Sequence, residues 1–524
     1  MTTLSPISSA IALINRPAVT PPATTLTPET DATLVRPSSV VSLGNVAVDV
    51  QAQTYSRNGQ LPVHEPITVW ENDSQDAVTR AIGANIDSTP RATGFSGLGA
   101  TLIEQFAKSG TDISQSALGT ASSKIQSPAE LKVQQALLHS EADNRVSLTV
   151  KTASGKTVTF SLASQPGGLA AQAKVDGGTL SAAELKEIAK LGEAFQGAID
   201  GLAAQPPKLD LSKLTQFDSR VLSSVDLSGK LKVGAVDDIT LAFHADSQSR
   251  TTRMKSPAGE VNLSVDLKNA GILGNAKQQA IALKSYLAQF DKAQARGKAD
   301  ADLMAMFKDA FTAMNSNYPQ GVKAPQALTR NAADQGLLTG LADFKASISQ
   351  TASSPNPARP GETDTFAYTV SQKTRVGGSD ISNRTIDQVQ QSSLKASFHR
   401  DLNGGNPPAF DTRRESQNYL YVQVDDKASS AANITYKDGF LTNASVDQSA
   451  SQNTRTQRYE MANLVKDTLE PNQASSHRDY LILLEYAARE GKRVQGADET
   501  ILKGALANMH QGVLLQDDPG ALPR

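Results

Sequence analysis

Apolar and polar residues alternate along much of the chain between residues 365 and 459. The period of two is clearest in the segments that begin at Thr365 and Tyr419. Successive side chains of a β-strand point to opposite faces, so each segment is predicted to be a strand with one apolar and one polar face. The apolar positions of the two segments are Phe366, Tyr368, Val370, Leu420, Val422 and Val424.

These strands are predicted to form an antiparallel meander over residues 365–459. Asp438 and Gly439 separate two strand-like runs, and an Asp-Gly pair favours a type I′ hairpin turn because both central residues of that turn need positive φ. The polar positions are rich in Ser, Thr, Gln and Asn, so one face is expected to pack on a core and the other to meet water. Whether that polar face is merely solvated or binds a partner is left open by the pattern.

Helical periodicity appears before and after the meander. Ser127 and Ser181 are each followed three residues later by Glu, a capping box that predicts a helix start. Apolar residues then recur with the spacing of an amphipathic helix. Helices are predicted at 97–108, 127–139, 181–203, 275–296, 299–316, 479–493 and 497–511, with one hairpin over 145–163 and another formed by 239–254 and 261–267. The predicted fold class is therefore α+β, with amphipathic helices on both sides of the sheet in sequence.

Composition indicates how the chain is divided. Residues 1–92 are rich in Ser, Thr and Pro and have few large apolar residues, which predicts a disordered leader with at most one short strand at 63–70. Ser, Pro and Thr are again frequent after the first helical region, which predicts a linker there. The predicted regions after the leader are a helix-and-hairpin region (93–346), the linker (347–364), the sheet with C-terminal helices (365–513) and a tail (514–524).

Charge and cysteine content exclude several classes of protein. The chain has 524 residues, with 51 basic and 53 acidic side chains, and a basic surface for nucleic acid is not expected. It has no cysteine, which excludes disulfides, Cys-ligated metals and Cys nucleophiles.

No apolar run is long enough to span a membrane, and the N-terminus lacks the basic residue and uninterrupted apolar run of a standard signal peptide. A cytoplasmic location and export without a signal peptide both stay open.

One stretch imitates two known catalytic or metal-binding motifs. His399-Arg-Asp-Leu-Asn-Gly-Gly-Asn406 fits the catalytic-loop string of protein kinases, but the Asp-Phe-Gly and glycine-rich motifs of that family do not accompany it. The same residues fail as a calcium loop, because Asn406 stands where glycine is needed and Thr412 where glutamate is needed. Neither a kinase nor a calcium site is predicted, and the sequence predicts no cofactor and no metal.

The same stretch is nevertheless the candidate functional loop, because it is rich in Gly and Pro and is predicted to join two strands. Its candidate residues are His399, Asp401, Asn403, Asn406 and Asp411.

For function we carry two hypotheses. The first is a non-enzymatic binding or structural protein, exported or associated with a bacterial surface, with a protein or carbohydrate partner and an undetermined oligomeric state. The second is a hydrolase whose site is assembled from Asp, Glu, His and Ser residues distant in sequence. A cleft with converging ionisable groups would favour the hydrolase, and a bare polar sheet face the binding protein. Ser371-Gln-Lys-Thr-Arg375 also resembles Ser451-Gln-Asn-Thr-Arg455, and whether this reflects a duplication stays open.

Overall fold

The computed structural model describes residues 67–87, 94–120, 127–233, 237–318, 332–404, 408–490 and 496–523. The described strands are β1 (Ile67–Trp70), β2 (Ile113–Thr120), β3 (Asn144–Thr152), β4 (Thr157–Gln165), β5 (Gly168–Asp176), β6 (Leu222–Val233), β7 (Asp237–Asp246), β8 (Ser249–Ser256), β9 (Gly259–Asp266), β10 (Asp343–Gln350), β11 (Thr365–Asp380), β12 (Asn383–Asp401), β13 (Tyr419–Lys437), β14 (Phe440–Glu460) and β15 (Asn463–Asp479). The described helices are α1 (Ala77–Asp87), α2 (Leu98–Ser109), α3 (Pro128–Glu141), α4 (Ala182–Ala189), α5 (Gly192–Ala203), α6 (Ala276–Gly297), α7 (Ala301–Met314), α8 (Ala332–Gly336), α9 (Leu481–Glu490) and α10 (Ala497–Val513).

All fifteen described strands belong to one antiparallel sheet. Their order is β1-β2-β5-β4-β3-β6 and then consecutive from β6 to β15. From β6 onward, each strand therefore pairs with the next strand in sequence, even where the helices α6 to α8 lie between β9 and β10. This architecture confirms the predicted α+β class and the antiparallel meander.

The predicted alternation is visible in the longest strands. Phe366, Tyr368 and Val370 of β11 are buried on what we call the inner face, the face that packs against helices, while the residues between them are more exposed. The turn between β13 and β14 has φ of 52° at Asp438 and 82° at Gly439, which confirms the positive φ expected of an Asp-Gly hairpin.

Helices α6 and α7 cover the inner face near the centre of the sheet. Their aromatic rings meet those of the strands edge to face, for example Phe311 with Phe344 at 5.0 Å between ring centroids. The last turn of α6 lies so close to β11 that a Cβ added at Gly297 would come within 2.7 Å of the Phe366 ring. Only glycine allows this approach without displacing the ring.

Part of the predicted leader and part of the predicted linker are regular structure. Within residues 1–92, the structure describes 67–87, which contain β1 and α1, and the rest of the predicted disordered segment lies outside the described residues. Residues 347–350 of the predicted linker end β10, because Phe344, Ala346 and Ile348 are buried there between β9 and β11. The division of the chain into a region at 93–346 and another at 365–513 stays a prediction.

Three predicted elements have different limits in the structure. The predicted helix 181–203 is two helices, α4 and α5, and the predicted strand 239–254 is two strands, β7 and β8. The sheet also continues past residue 459 into β15. That strand is exposed on both faces along most of its length, so it carries no alternation that would reveal it.

A row of buried polar side chains crosses the inner face and binds the C-terminal segment. Gln390 Nε2 donates to the carbonyl of Val513 at 2.8 Å, and Gln390 Oε1 accepts from the N–H of Leu515 at 3.0 Å. Gln448 Nε2 donates to the carbonyl of Leu514 at 2.8 Å. We call Gln390, Gln448 and the Ser430 between them the glutamine row.

The residues predicted as a tail, 514–524, are therefore packed against the sheet as far as Leu522. Leu514, Leu515 and Leu522 are buried. The side chains of the glutamine row bond the main-chain N–H and C=O groups of this segment, as a neighbouring strand would in a sheet. Without these bonds, the buried main-chain groups would be unpaired.

Candidate functional site

A groove crosses strands β11 to β15 on the outer face, which is the face opposite the helices α6 and α7. Its volume is about 980 Å³. Ser371, Gln391, Ser429, Ser449 and Ser475 form one row of direct cross-strand neighbours along it. The long strands and their register place five polar side chains from distant parts of the sequence side by side.

A second row runs parallel to the first, two residues further along each strand. Its members are Thr369, Ser393, Lys427, Ser451 and Gln473. Together the two rows line the groove with hydroxyl and amide groups, and the Ser429 and Ser449 hydroxyls lie 2.8 Å apart. The predicted polar face is therefore open over the middle of these strands.

At one end of the long strands, two loops cover the outer face and enclose a histidine. His399 Nδ1 lies 2.6 Å from Asp364 Oδ1, and His399 Nε2 lies 3.3 Å from Glu362 Oε2. The imidazole side chain is only 2% exposed. Both ring nitrogens therefore face carboxylate oxygens, and almost none of the ring is accessible to solvent.

Aromatic rings surround this histidine. The ring centroids of Phe410, Tyr419 and Tyr421 all lie about 5 Å from that of His399. The Tyr419 hydroxyl donates to Glu362 Oε2 at 2.6 Å, and burial together with this bond raises the pKa of Tyr419. The cluster fastens the loop before β11 and the loop after β12 to the sheet.

A smaller cavity of about 340 Å³ lies beside the cluster, at the rim of the sheet. His399, Asp401 and Asp364 line it, together with Lys298 from the end of α6. The structure thus brings two of the predicted site residues, His399 and Asp401, to one cavity. Asp401 is engaged with its own loop, since its Oδ1 accepts from the N–H of Asn403 at 2.7 Å.

The other predicted site residues do not join this cavity. Asn403 is exposed in the turn after β12, and Asn406 lies outside the described residues. Asp411 pairs with Arg413, whose guanidinium lies 2.7 Å from its carboxylate and holds the pKa of Asp411 at about 2. The loop does join two strands, β12 and β13, as predicted.

The two acids that hold His399 were not predicted from the sequence. Glu362 and Asp364 lie in the segment that was assigned to a linker. Their one local signal is the spacing of two residues, which puts both carboxylates on one side of an extended chain. Nothing in that spacing points to a histidine 35 residues away.

The described residues contain no group of three or more side chains that could hold a metal ion. None of the described helices has the length and apolar character needed to span a membrane. Comparison with known protein families, with curated proteins and with solved structures found no match to this chain. The fold defines an α+β protein built on one long antiparallel sheet, and its function has to be inferred from the geometry of its surfaces.

Proposed function

We propose that this chain is a non-enzymatic binding protein that holds a polar partner in the groove on the outer face. One observation carries the proposal. Among the described residues that line the groove, only Lys427 has an ionisable side chain, and the others are Ser, Thr, Gln and Ala. General acid–base or nucleophilic catalysis needs at least a pair of such groups within reach of each other, whereas recognition of a polar ligand needs hydroxyls and amides.

The shape of the sheet supports the same proposal. The strands are regularly paired and fix the spacing of the two rows, so the polar groups are held in place before a ligand arrives. A site built on strands loses less conformational entropy on binding than one built on loops.

Among the predicted site residues, the hydrolase hypothesis rests on the His399 cluster. This cluster combines a histidine, two carboxylates and a tyrosine, which are the residue types that hydrolases use. Yet the imidazole is enclosed and both its nitrogens already have partners. The nearby Ser397 hydroxyl donates to the carbonyl of Thr363 at 2.6 Å, so it is not aligned with His399 as a nucleophile.

The groove can be tested by filling it. Ser449→Trp places a large ring in the groove, and Ser228→Trp places the same ring at an exposed position of the sheet on β6, outside it. Carbohydrate partners are sought with an array of neutral and charged glycans. Protein partners are sought with a photo-crosslinking residue at Ser451 in native cells, with the same residue at Ser228 as control.

We expect Ser449→Trp to lose binding that Ser228→Trp retains, with both variants showing the circular dichroism of the unmodified protein. Equal binding by both variants would contradict the proposal. If a captured ligand is hydrolysed, and this hydrolysis is lost in His399→Gln but retained in Ser449→Trp, the hydrolase hypothesis is favoured.

A further inference from the structure

The groove on β11 to β15 continues into a second groove on the same face. The second groove has a volume of about 1100 Å³ and reaches back to β8 through Thr251 and Ser264. The two share Ser371 and Gln391, which are direct neighbours on β11 and β12. We call the joined grooves the trough. It crosses eight strands, and seven spacings of about 4.8 Å give a length of roughly 34 Å.

Cationic side chains are concentrated in the second half of the trough. Lys345 on β10 directly faces Ser371, and Lys373 and Arg375 follow Ser371 at steps of two residues on the same face of β11. Diagonal and next-but-one neighbours on a sheet lie about 7–8 Å apart, so the three cations form one cluster. All three are exposed, and in the described part of the chain none lies within ion-pair distance of a carboxylate.

The acids of the same groove are occupied by other donors. Asp343 accepts from the N–H and hydroxyl of Thr374, at 2.8 and 2.7 Å, and burial raises the pKa of Asp343. Asp387 accepts from the Asn433 amide, and Asp266 accepts from a main-chain N–H two residues further on. Asp387 lies directly opposite Arg375, but none of these three carboxylates is within ion-pair distance of Lys345, Lys373 or Arg375, so the cations can still contact an external anion.

We infer that the trough binds an elongated acidic polysaccharide, with sugar hydroxyls on the Ser, Thr and Gln rows and carboxylates on Lys345, Lys373, Arg375 and Lys427. The inference rests on the proposed function and names its partner class. A length of about 34 Å suits a polymer lying across the strands better than a compact small molecule. The described residues that line the trough also include no large exposed aromatic or apolar anchor of the kind that dominates the energy of protein–protein interfaces, so a carbohydrate is favoured over a protein.

The test uses the full chain and polygalacturonate, a polymer of uronic acid, with uncharged dextran and single-stranded oligothymidylate as comparison probes. The test variant is Lys345→Gln/Lys373→Gln/Arg375→Gln. The matched control is Lys186→Gln/Lys277→Gln/Lys284→Gln. It removes the same amount of charge from exposed lysines outside the trough, one on α4 and two on α6. Affinity is measured by biolayer interferometry at low and high salt.

We expect the unmodified chain to bind polygalacturonate, the trough variant to bind it about tenfold more weakly, and the control to bind as before. Binding should weaken at high salt. Absence of polygalacturonate binding, or equal loss in both variants, would overturn the inference. Equal or tighter binding of oligothymidylate would also overturn it, since it would show attraction to any polyanion.

Failure of this inference can be separated from failure of the proposed function. If Ser449→Trp abolishes capture of a neutral glycan or a protein while the trough variant binds normally, the groove is a binding site and only the acidic polysaccharide is wrong. If neither variant changes any binding, both proposals fail.

Discussion

Replacing one buried amide of the glutamine row should destabilise the whole protein. Gln390→Leu keeps about the same volume but removes a group that donates one hydrogen bond and accepts two. The next residue offers a matched control. Gln391 lies on the same strand but points to the open outer face, so Gln391→Leu changes the same side chain without removing a buried contact.

The magnitude follows from the partners that lose Gln390. The Val513 carbonyl keeps the Ser430 hydroxyl at 2.7 Å, but the N–H of Leu515 and the Tyr286 hydroxyl lose the acceptor that lies 3.0 Å from each. An intramolecular hydrogen bond contributes about 1 kcal/mol net, and a buried polar group left without a partner costs about 1–3 kcal/mol. The expected loss for Gln390→Leu is therefore roughly 3–5 kcal/mol, a large share of the 5–15 kcal/mol that is typical for folded proteins.

The free energy of unfolding is measured by urea denaturation of the full chain, followed by circular dichroism. Hydrogen exchange at the amide of Leu515 gives a local measure, and this amide should exchange faster in Gln390→Leu. Gln391→Leu should stay within about 0.5 kcal/mol of the unmodified protein. If the unfolding free energies of the two variants differ by less than about 0.5 kcal/mol, the glutamine row does not stabilise the C-terminal segment and this prediction is wrong.

Three further predictions concern buried or enclosed side chains. Arg250 is buried and donates to three carbonyls at the end of α7, including that of Met314 at 3.0 Å, so Arg250→Met should cost about 3–5 kcal/mol in urea denaturation, and a loss below 1 kcal/mol would contradict this. Burial lowers the pKa of His510, so the folded state favours the neutral ring. The contribution of His510 to the unfolding free energy is fully present above the ordinary histidine pKa of about 6.5 and decreases as the pH falls below that value, because the unfolded chain then binds a proton more readily than the folded one. His510→Leu should therefore flatten this part of a profile of unfolding free energy against pH. His399→Gln should lower the unfolding free energy by about 2–3 kcal/mol while Asp401→Ala changes it by less than about 0.5 kcal/mol, and equal losses would show that the loop, rather than the histidine cluster, stabilises this end of the sheet.

Local patterns in the sequence were sufficient for much of the fold. The capping boxes at Ser127 and Ser181 predicted the starts of α3 and α4, and both are present with reciprocal hydrogen bonds. Period-two alternation located β11 and the Asp438-Gly439 pair located a hairpin. These signals succeed because a cap, a turn or one amphipathic strand is determined by residues a few positions apart.

Where the local signal was absent or ambiguous, the prediction was incomplete. β15 pairs with β14 along its whole length but is exposed on both faces, so its sequence resembles a loop. β7 and β8 were merged into one strand because the tight turn at residues 247–248 interrupts the strand pattern only briefly.

The candidate sites depended on the tertiary structure almost entirely. The polar character of the outer face could be predicted from Ser, Thr and Gln at alternate positions, but its two rows exist only because the register aligns residues up to about a hundred positions apart, such as Ser371 and Ser475. Likewise, no local pattern connects His399 with Glu362 and Asp364. The sequence by itself determined which residues alternate, turn and cap, because those preferences act over a few neighbouring residues. Only the pairing of distant strands decided which side chains became neighbours, because cross-strand contacts are set by register and not by proximity along the chain.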